Sequence, residues 1–555
     1  MSVRAFASLV TDLAATTSSS RRVERLVHHL RGAAPPDAAL AAWFLLGNRL
    51  RRAVRVGELR AWVAEEANLS EALVAACHDH VGDLAETLAL LVPDPPVDAP
   101  DVPLEALVEV GLRTLATATP TRRRAIVLAQ WSRLDRASIF AYHKLLTGAF
   151  RVGVARGLVV RAIAAALEVD EATLDDRLAG GFEPTQEGWL ALARPLDPAE
   201  IARRPRPFQL AQALPEGAIA GGRVAAGDDA LLEGGGADLG PVDRWLVEPK
   251  WDGARAQLIR RGDPILWSRG EGRLDGSFPE VLDAARTLPP GCVLDGEVLL
   301  WAGDRPRPFS SLQRRLGVER HAPGLFDEDE ARFVAFDLLE LAGEDIRSRP
   351  LGERRAALES LLARLDPKGS IRLSERLRPL DWAEADLLRR GARERGVEGL
   401  MLKRLEAPYE GGRPRGSWWK WKVDPRVIDA VLVHAQSGHG RRAGLLTDYT
   451  LALRDGESLV PVAKAYSGLS DAELVEVDRI LRRTIVGRRG PVRIVEPSLV
   501  FEIAFEGVQR STRHRSGLAV RFPRILRWRR DKTPADADAL ATLAAMADAD
   551  RRSEP

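Results

Sequence analysis

From residue 1 to about 200, apolar positions recur three and four apart, as in 21–31 and 156–167, in a stretch dominated by Ala, Leu and Arg. That spacing gathers apolar side chains on one helical face, so 1–205 is predicted to be an all-α domain. Proline-rich breaks at 94–103 and 204–207 punctuate it. Residues 218–240 are rich in Gly, Ala and Asp and contain Gly234-Gly235-Gly236, which predicts a flexible loop ahead of a new domain.

From Arg244 the period shortens. Apolar runs at 244–249, 254–260, 264–268, 292–300, 332–341 and 398–404 read as strands, with helical patterns at 351–365 and 381–395. The mixture predicts an α+β domain over 206–424. After Pro425, strand-like runs at 427–434, 448–454, 459–466 and 499–505 surround one helical insert at 470–485. A small C-terminal β-barrel is expected there, over 425–545, followed by a tail at 546–555. Neither an internal repeat nor a heptad seam is present.

Composition narrows the class. A chain of 555 residues exceeds one ordinary core and fits about three domains. Hydrophobic content of 45% and charged content of 29% are those of a soluble globular protein. No apolar run reaches the ~18 residues of a membrane span, and the N-terminus lacks a secretory pattern. Cys77 and Cys292 are the only cysteines, which excludes a disulfide framework and a four-cysteine zinc site. An intracellular protein is expected.

The net charge of +2 decides little, because 81 basic and 79 acidic residues nearly cancel. A nucleic-acid partner therefore needs a local basic surface. The lysines are more telling. Only Lys144, Lys250, Lys368, Lys403, Lys420, Lys422, Lys464 and Lys532 stand among abundant arginines. Arginine supplies charge equally well but stays protonated and is a poor nucleophile. A lysine retained in such a chain points to amine chemistry or to a compact charge.

The central motif is Glu248-Pro249-Lys250-Trp251-Asp252-Gly253-Ala254-Arg255. A strand delivers Lys250 to a turn, Gly253 allows close backbone approach, and Arg255 is suited to clamp a phosphate. Alone, a Lys-x-Asp-Gly is more often a surface turn. Its neighbours change that. Trp267-Ser268-Arg269-Gly270 sets an arginine in a turn after a strand. In Val293-Leu294-Asp295-Gly296-Glu297-Val298, alternation puts Asp295 and Glu297 on one face, suited to a divalent cation or a ribose hydroxyl. Phe336 stands on a strand as a candidate purine platform, although core packing is the commoner fate of such a ring. Glu398 and Lys403 bracket an apolar strand with an odd separation, so a bend at Gly399 is needed to bring both into one pocket. In Trp418-Trp419-Lys420-Trp421-Lys422, Lys420 and Lys422 share a face with Trp419 and Trp421 opposite. Two such point charges suit a triphosphate; a stacking surface for nucleic acid is less favoured, since the aromatics fall on the wrong face.

Taken in order, these elements resemble the nucleotidyltransferase motifs of the DNA ligase and RNA-capping superfamily. The likeness runs through 250–255, 267–270, 295–297, 333–338, 398–403 and 420–422 to Arg521-Phe522-Pro523-Arg524-Ile525-Leu526-Arg527-Trp528-Arg529-Arg530-Asp531-Lys532. Residues 44–50 and 144–153 are similar to the helical DNA-binding domain of ATP-dependent ligases. The closest likeness is to bacterial members with three domains: helical DNA-binding, adenylation and OB-fold. The resemblance implies an ATP-dependent DNA ligase that seals nicks through a lysyl-AMP on Lys250, in repair rather than replication.

By the same resemblance, Glu297 meets ribose or metal, Glu398 binds metal, and Phe336 stacks on adenine. Lys403, Lys420 and Lys422 hold phosphates, Arg255 and Arg269 bind sugar or nick phosphate, and Lys532 orients pyrophosphate with Arg527 in the same motif. Glu248 reads the adenine amino group, and Arg151 touches DNA. The implied cofactors are ATP and Mg2+, with Mn2+ as an alternative; the implied partner is nicked duplex DNA. A monomer in the bacterial cytoplasm, on the nucleoid, is expected. A capping guanylyltransferase fits the helical region and Arg-x-Asp-Lys ending poorly. An NAD-dependent ligase calls for the four-cysteine zinc module that two cysteines cannot build. An RNA ligase is disfavoured by the DNA-binding helices, and a dead scaffold by the retained lysine and carboxylates.

Overall fold

The computed structural model describes residues 2–553 apart from 17, 82, 97, 99, 149, 151–153, 196, 216–217, 221–222, 225–238, 271, 317–328, 367–368, 439–443, 490–491 and 513. The chain divides into two compact units. One contains Asp170–Phe182 and Ala191–Asp424; the other contains Met1–Val169, Glu183–Leu190 and Pro425–Arg552.

The N-terminal region is helical throughout. The apolar spacing in 21–31 and 156–167 becomes the helices Ser19–Gly32 and Arg156–Leu167, which pack on each other. Side-chain caps start several helices: Ser18 accepts from the Arg21 amide, Thr119 from that of Arg122, and Asp135 from that of Ser138. Each cap satisfies a backbone donor that the helix itself leaves unpaired. Phe6, Leu13, Leu26 and Tyr142 fill the interior. The break at 94–103 falls between the helices Leu84–Leu91 and Leu104–Gly111, as the prolines require.

In the central unit, two sheets carry the site. The smaller has the order Gln212–Ala213, Trp418–Lys422, Gly399–Arg404, Trp245–Pro249. The larger runs Glu344–Asp345, Glu330–Leu341, Cys292–Ala302, Ala254–Arg260, Ile265–Ser268. Every strand predicted between 244 and 404 is present. Helix Leu351–Leu362 covers the larger sheet, burying Leu351, Leu358, Leu361 and Leu362; full burial of one such side chain contributes roughly 1.5–3 kcal/mol. The helix Glu171–Leu178, sequence-assigned to the helical region, belongs to this unit: its Asp176 pairs with Arg206 and Arg347. Of the predicted loop 218–240, residues 225–238 lie outside the described residues, while Ile219–Ala220 pairs with Arg223–Val224.

After Pro425 a seven-stranded sheet forms around Arg426–Ser437, with a separate hairpin of Gly507–Arg510 and Leu518–Arg521. Helix Asp471–Arg483 packs on it, opened by a reciprocal Ser470–Glu473 capping box. The predicted tail is different in kind. Helix Leu540–Ser553 crosses residue 546, and its Leu543 and Ala547 join the sheet's core.

Candidate functional site

Strand Trp245–Pro249 alternates strictly. Trp245 and Val247 enter an apolar core with Leu400, Leu402 and Trp419, which turns Glu248 to the opposite face. The ladder to Gly399–Arg404 ends in a reciprocal pair, Lys250 N to Gly399 O and Glu398 N to Lys250 O, both 2.8 Å. The nucleophile candidate is thus pinned by its backbone.

Lys250 Nζ donates to Glu398 Oε2. Lys422 Nζ approaches the same oxygen at 3.5 Å. The bend anticipated at Gly399 is there: its φ is +141°, and a Cβ would sit 2.3 Å from the Trp421 carbonyl oxygen. Only glycine fits, and the bend swings Glu398 onto Lys250. Lys420 and Lys422 share a face, with Trp419 and Trp421 packed on the other. The Lys420 ammonium is pulled below its ordinary range by burial and then by the charges of Arg413, Lys250 and Lys422. A concentration of cations of this kind suits an anion as multiply charged as a triphosphate.

Glu297 faces Lys250 from the larger sheet. Burial pushes its carboxyl up to about 7, against the pull of Arg255, Lys250 and Arg269. Gly253 makes the approach of the turn feasible, because a Cβ there would lie 2.4 Å from the Val298 carbonyl oxygen and 2.8 Å from Glu297 Cγ. Asp295 shares the face of Glu297, paired without a break against Gln257 as Glu297 is against Arg255, and its charge adds to the upward push on Glu297. The ladder with Glu330–Leu341 shifts register between Asp295 and Gly296, and Asp295 is fully buried. Arg255 grips it through Nε at 3.1 Å and Nη2 at 2.6 Å, and the Tyr409 hydroxyl donates to it at 2.7 Å. Arg255 also donates to the Gln209 carbonyl at 2.5 Å and lies among the rings of Phe208, Phe336 and Trp418. Expected on sugar or phosphate, its guanidinium is instead turned inward onto a carboxylate. Arg269 is exposed at the end of its strand, its amide bonded to the Arg255 carbonyl at 2.9 Å.

A second lysine–glutamate pair lies on the same two strands. Lys403 Nζ is 2.6 Å from Glu248 Oε2, and the two side chains are 2% and 1% exposed. Expected among the phosphate-holding lysines, Lys403 is buried away from solvent, its ammonium 3.7 Å from the Phe336 ring centroid and 4.5 Å from that of Trp418. The aromatic walls favour a cation there. Phe336 is itself buried in a core with Tyr409 and Trp418. Arg355 completes the cluster, donating through Nη1 to Glu248 Oε1 at 2.7 Å.

Sequence reasoning missed Arg355, Tyr409 and Gln209. A signal for the first was present: Leu351, Arg354, Arg355 and Leu358 fall on one helical stripe, and a charge on a buried stripe needs a partner. Arg354 finds Asp337, both fully buried. Nothing local marks the other two.

The final motif lies in the C-terminal sheet. Lys532 Nζ is 2.5 Å from Asp429 Oδ2, with Arg529 on the same carboxylate. Arg527 is paired with Glu502 at 2.8 Å. Arg151 lies outside the described residues. Among the described residues no helix is long and apolar enough to cross a membrane.

A lysine set against a carboxylate, with further cations on two sheets, is an arrangement suited chemically to group transfer from a polyphosphate. The chain matches the family models for the DNA ligase N terminus over 2–164, the ATP dependent DNA ligase domain over 241–422 and the ATP dependent DNA ligase C terminal region over 442–532. A probable DNA ligase of Koribacter versatilis (strain Ellin345) is 33% identical, spanning 95% of this chain and 93% of its own. That of Anaeromyxobacter sp. (strain Fw109-5) is 33% identical over 96% of each. Among solved structures, Pmar-Lig_PreS3 superposes with a TM-score of 0.58 at 16% identity, covering 94% of this chain and 99% of that one. The chain belongs to the family of ATP-dependent DNA ligases, and it is an enzyme of that kind.

Proposed function

We propose that this ligase seals 5′-phosphate/3′-hydroxyl nicks in duplex DNA through a covalent lysyl-AMP on Lys250, in DNA repair. The observation that carries the reading is the contact of Glu398 with that one amine, with Lys422 on the same carboxylate and Lys420 and Glu297 within its electrostatic reach. Glu398, in contact with the ammonium, is placed to take its proton. The freed amine attacks the α-phosphorus of ATP; a nitrogen–phosphorus bond forms, the α–β anhydride breaks, and pyrophosphate leaves. The 5′-phosphate of the nick then attacks the same phosphorus and takes AMP from Lys250. Finally the 3′-hydroxyl attacks the 5′-phosphate and AMP departs. Each step is phosphoryl transfer, so positioning and charge neutralisation carry the catalysis.

Lys420 and Lys422 hold the triphosphate, and Arg269, exposed beside the turn, meets the nick phosphate. Glu248 and Lys403 place an acceptor beside a donor at the aromatic wall of Phe336, suited to the amino group and adjacent ring nitrogen of adenine. Lys532 and Arg527 act on pyrophosphate in the first step, with the C-terminal sheet working as an OB-fold. Arg151 and the helical region hold duplex DNA. A magnesium ion suits the site because a cation beside the partly buried Glu297 would offset the desolvation that raises its carboxyl, and this ion characteristically takes one or two carboxylates and completes its shell with phosphate and water. Glu297 and Glu398 would hold it, and when bound it neutralises the charge developing on the phosphates. The enzyme acts as a cytoplasmic monomer.

The test is retention of label on the denatured chain from α-labelled ATP, α-labelled GTP or adenylate-labelled NAD, with pyrophosphate-stripped protein and magnesium. Label from ATP alone, absent in Lys250→Ala and released by nicked duplex with sealing, is expected. Label from GTP would move the reading to capping, and no label from any nucleotide would refute it.

A further inference from the structure

Glu248 stands two residues ahead of Lys250 on the same strand, with a carboxylate held from both sides: Lys403 on Oε2 and Arg355 on Oε1. Arg355 comes from helix Leu351–Leu362, outside the motif series, and is 2% exposed. Its fork is nearly saturated. Nη2 donates to the Ser374 carbonyl and Nε to Glu359 Oε1 at 2.9 Å. Ser374 in turn accepts from Trp251 Nε1 at 3.2 Å through its hydroxyl. One guanidinium therefore ties the Glu248 carboxylate to the residue that follows the nucleophile.

We propose that Arg355 is a positioning residue that sets the enzyme's preference for a 6-amino purine, by fixing Glu248 as a pure hydrogen-bond acceptor at the base. The inference rests on the reading of Glu248 as the base contact. An ionised carboxylate offers lone pairs and no proton, and each oxygen keeps one acceptor site after its first partner. A 6-amino group donates into that site. A 6-oxo group brings lone pairs of its own and is repelled. Two anchors on opposite oxygens prevent the carboxylate from rotating to accommodate the oxo group. Without Arg355, Lys403 is its sole paired cation among the described residues, and the link from Ser374 to Trp251 loses its support.

The measurement is labelling of the stripped enzyme by ATP, inosine triphosphate (6-oxo) and purine riboside triphosphate (no 6-substituent), for wild type, Arg355→Gln, Arg355→Lys and Glu248→Gln. Wild type should prefer ATP over inosine triphosphate by roughly 10³-fold or more in kcat/KM, the scale on which a site built around a hydrogen bond rejects a mismatch. Arg355→Gln should cut that ratio by about tenfold or more, chiefly through KM for ATP. Arg355→Lys, with one donor head in place of a fork, should lose about threefold, and it decides the matter if the glutamine variant does not fold. A folded Arg355→Gln that slows all three nucleotides equally would show a structural role only and overturn the inference. If Glu248→Gln also leaves the ratio unchanged, the base-contact reading falls with it; if Glu248→Gln alone changes the ratio, only the role of Arg355 falls.

Discussion

Strands Trp245–Pro249 and Gly399–Arg404 carry two lysine–glutamate pairs with opposite settings. At one end the nucleophile strand gives the lysine and its neighbour the glutamate: Lys250 and Glu398, with side chains 19% and 18% exposed. Along the same ladder the roles are exchanged: Glu248 and Lys403, 1% and 2% exposed. The chemistry of the pairs is the same, and burial separates their uses. The open pair can be parted by an arriving phosphate at small cost. The sealed pair cannot, because parting it strands a charge without water.

Substitutions that break one pair and spare the other test that division. The largest effect is expected from Lys250→Arg, which keeps the charge and removes the nucleophile; label from ATP should fall by at least about 10⁴-fold, with unfolding unaltered. Next comes Glu248→Ala. It leaves Lys403 and Arg355 facing each other without their anion, and urea unfolding should show a loss of about 3–5 kcal/mol. Glu398→Gln should do the reverse, lowering the rate of labelling by about 10²-fold, equivalent to ~2.7 kcal/mol on the barrier, while stability changes by about 1 kcal/mol or less. Equal destabilisation by Glu248→Ala and Glu398→Gln would erase the distinction.

The most local effect concerns a sealed polar group in the helical region. Fully buried His143 accepts from Trp131 Nε1 at 2.8 Å, and burial lowers its pKa from 6.5 to about 4. A depressed folded-state pKa on a histidine means that protons favour the unfolded chain. Stability from this group is therefore complete above pH 6.5 and is lost as the pH falls toward 4, at up to about 1.4 kcal/mol per unit. Thermal melts of wild type and His143→Asn across that window should converge at low pH; parallel curves would reject the assignment.

Much of this was legible in the sequence, for a physical reason. Lys250, Lys420, Lys422 and Glu398 sit on strands or turns whose direction follows from alternation, and the need for a bend at Gly399 followed from parity alone. Lys403 and Phe336 were harder. Their types suit a ligand equally well as a core, and only the packing of Trp418 and Tyr409 around them decides. The expectation for Arg255 rests on its place beside the turn; the contacts that hold it, Asp295 on the neighbouring strand and the Gln209 carbonyl, with Tyr409 on the same carboxylate, leave no mark in the local pattern. Contacts between residues more than a hundred positions apart, such as Arg355 with Glu248, leave only an indirect trace in a pattern of neighbours.

The central claim is that the open lysine, and no other, carries the nucleotide. Digesting the enzyme after reaction with ATP and locating AMP by mass spectrometry tests it directly. AMP on the peptide bearing Lys250 is the expected result. AMP on Lys403, Lys420, Lys422 or Lys532 would contradict the account.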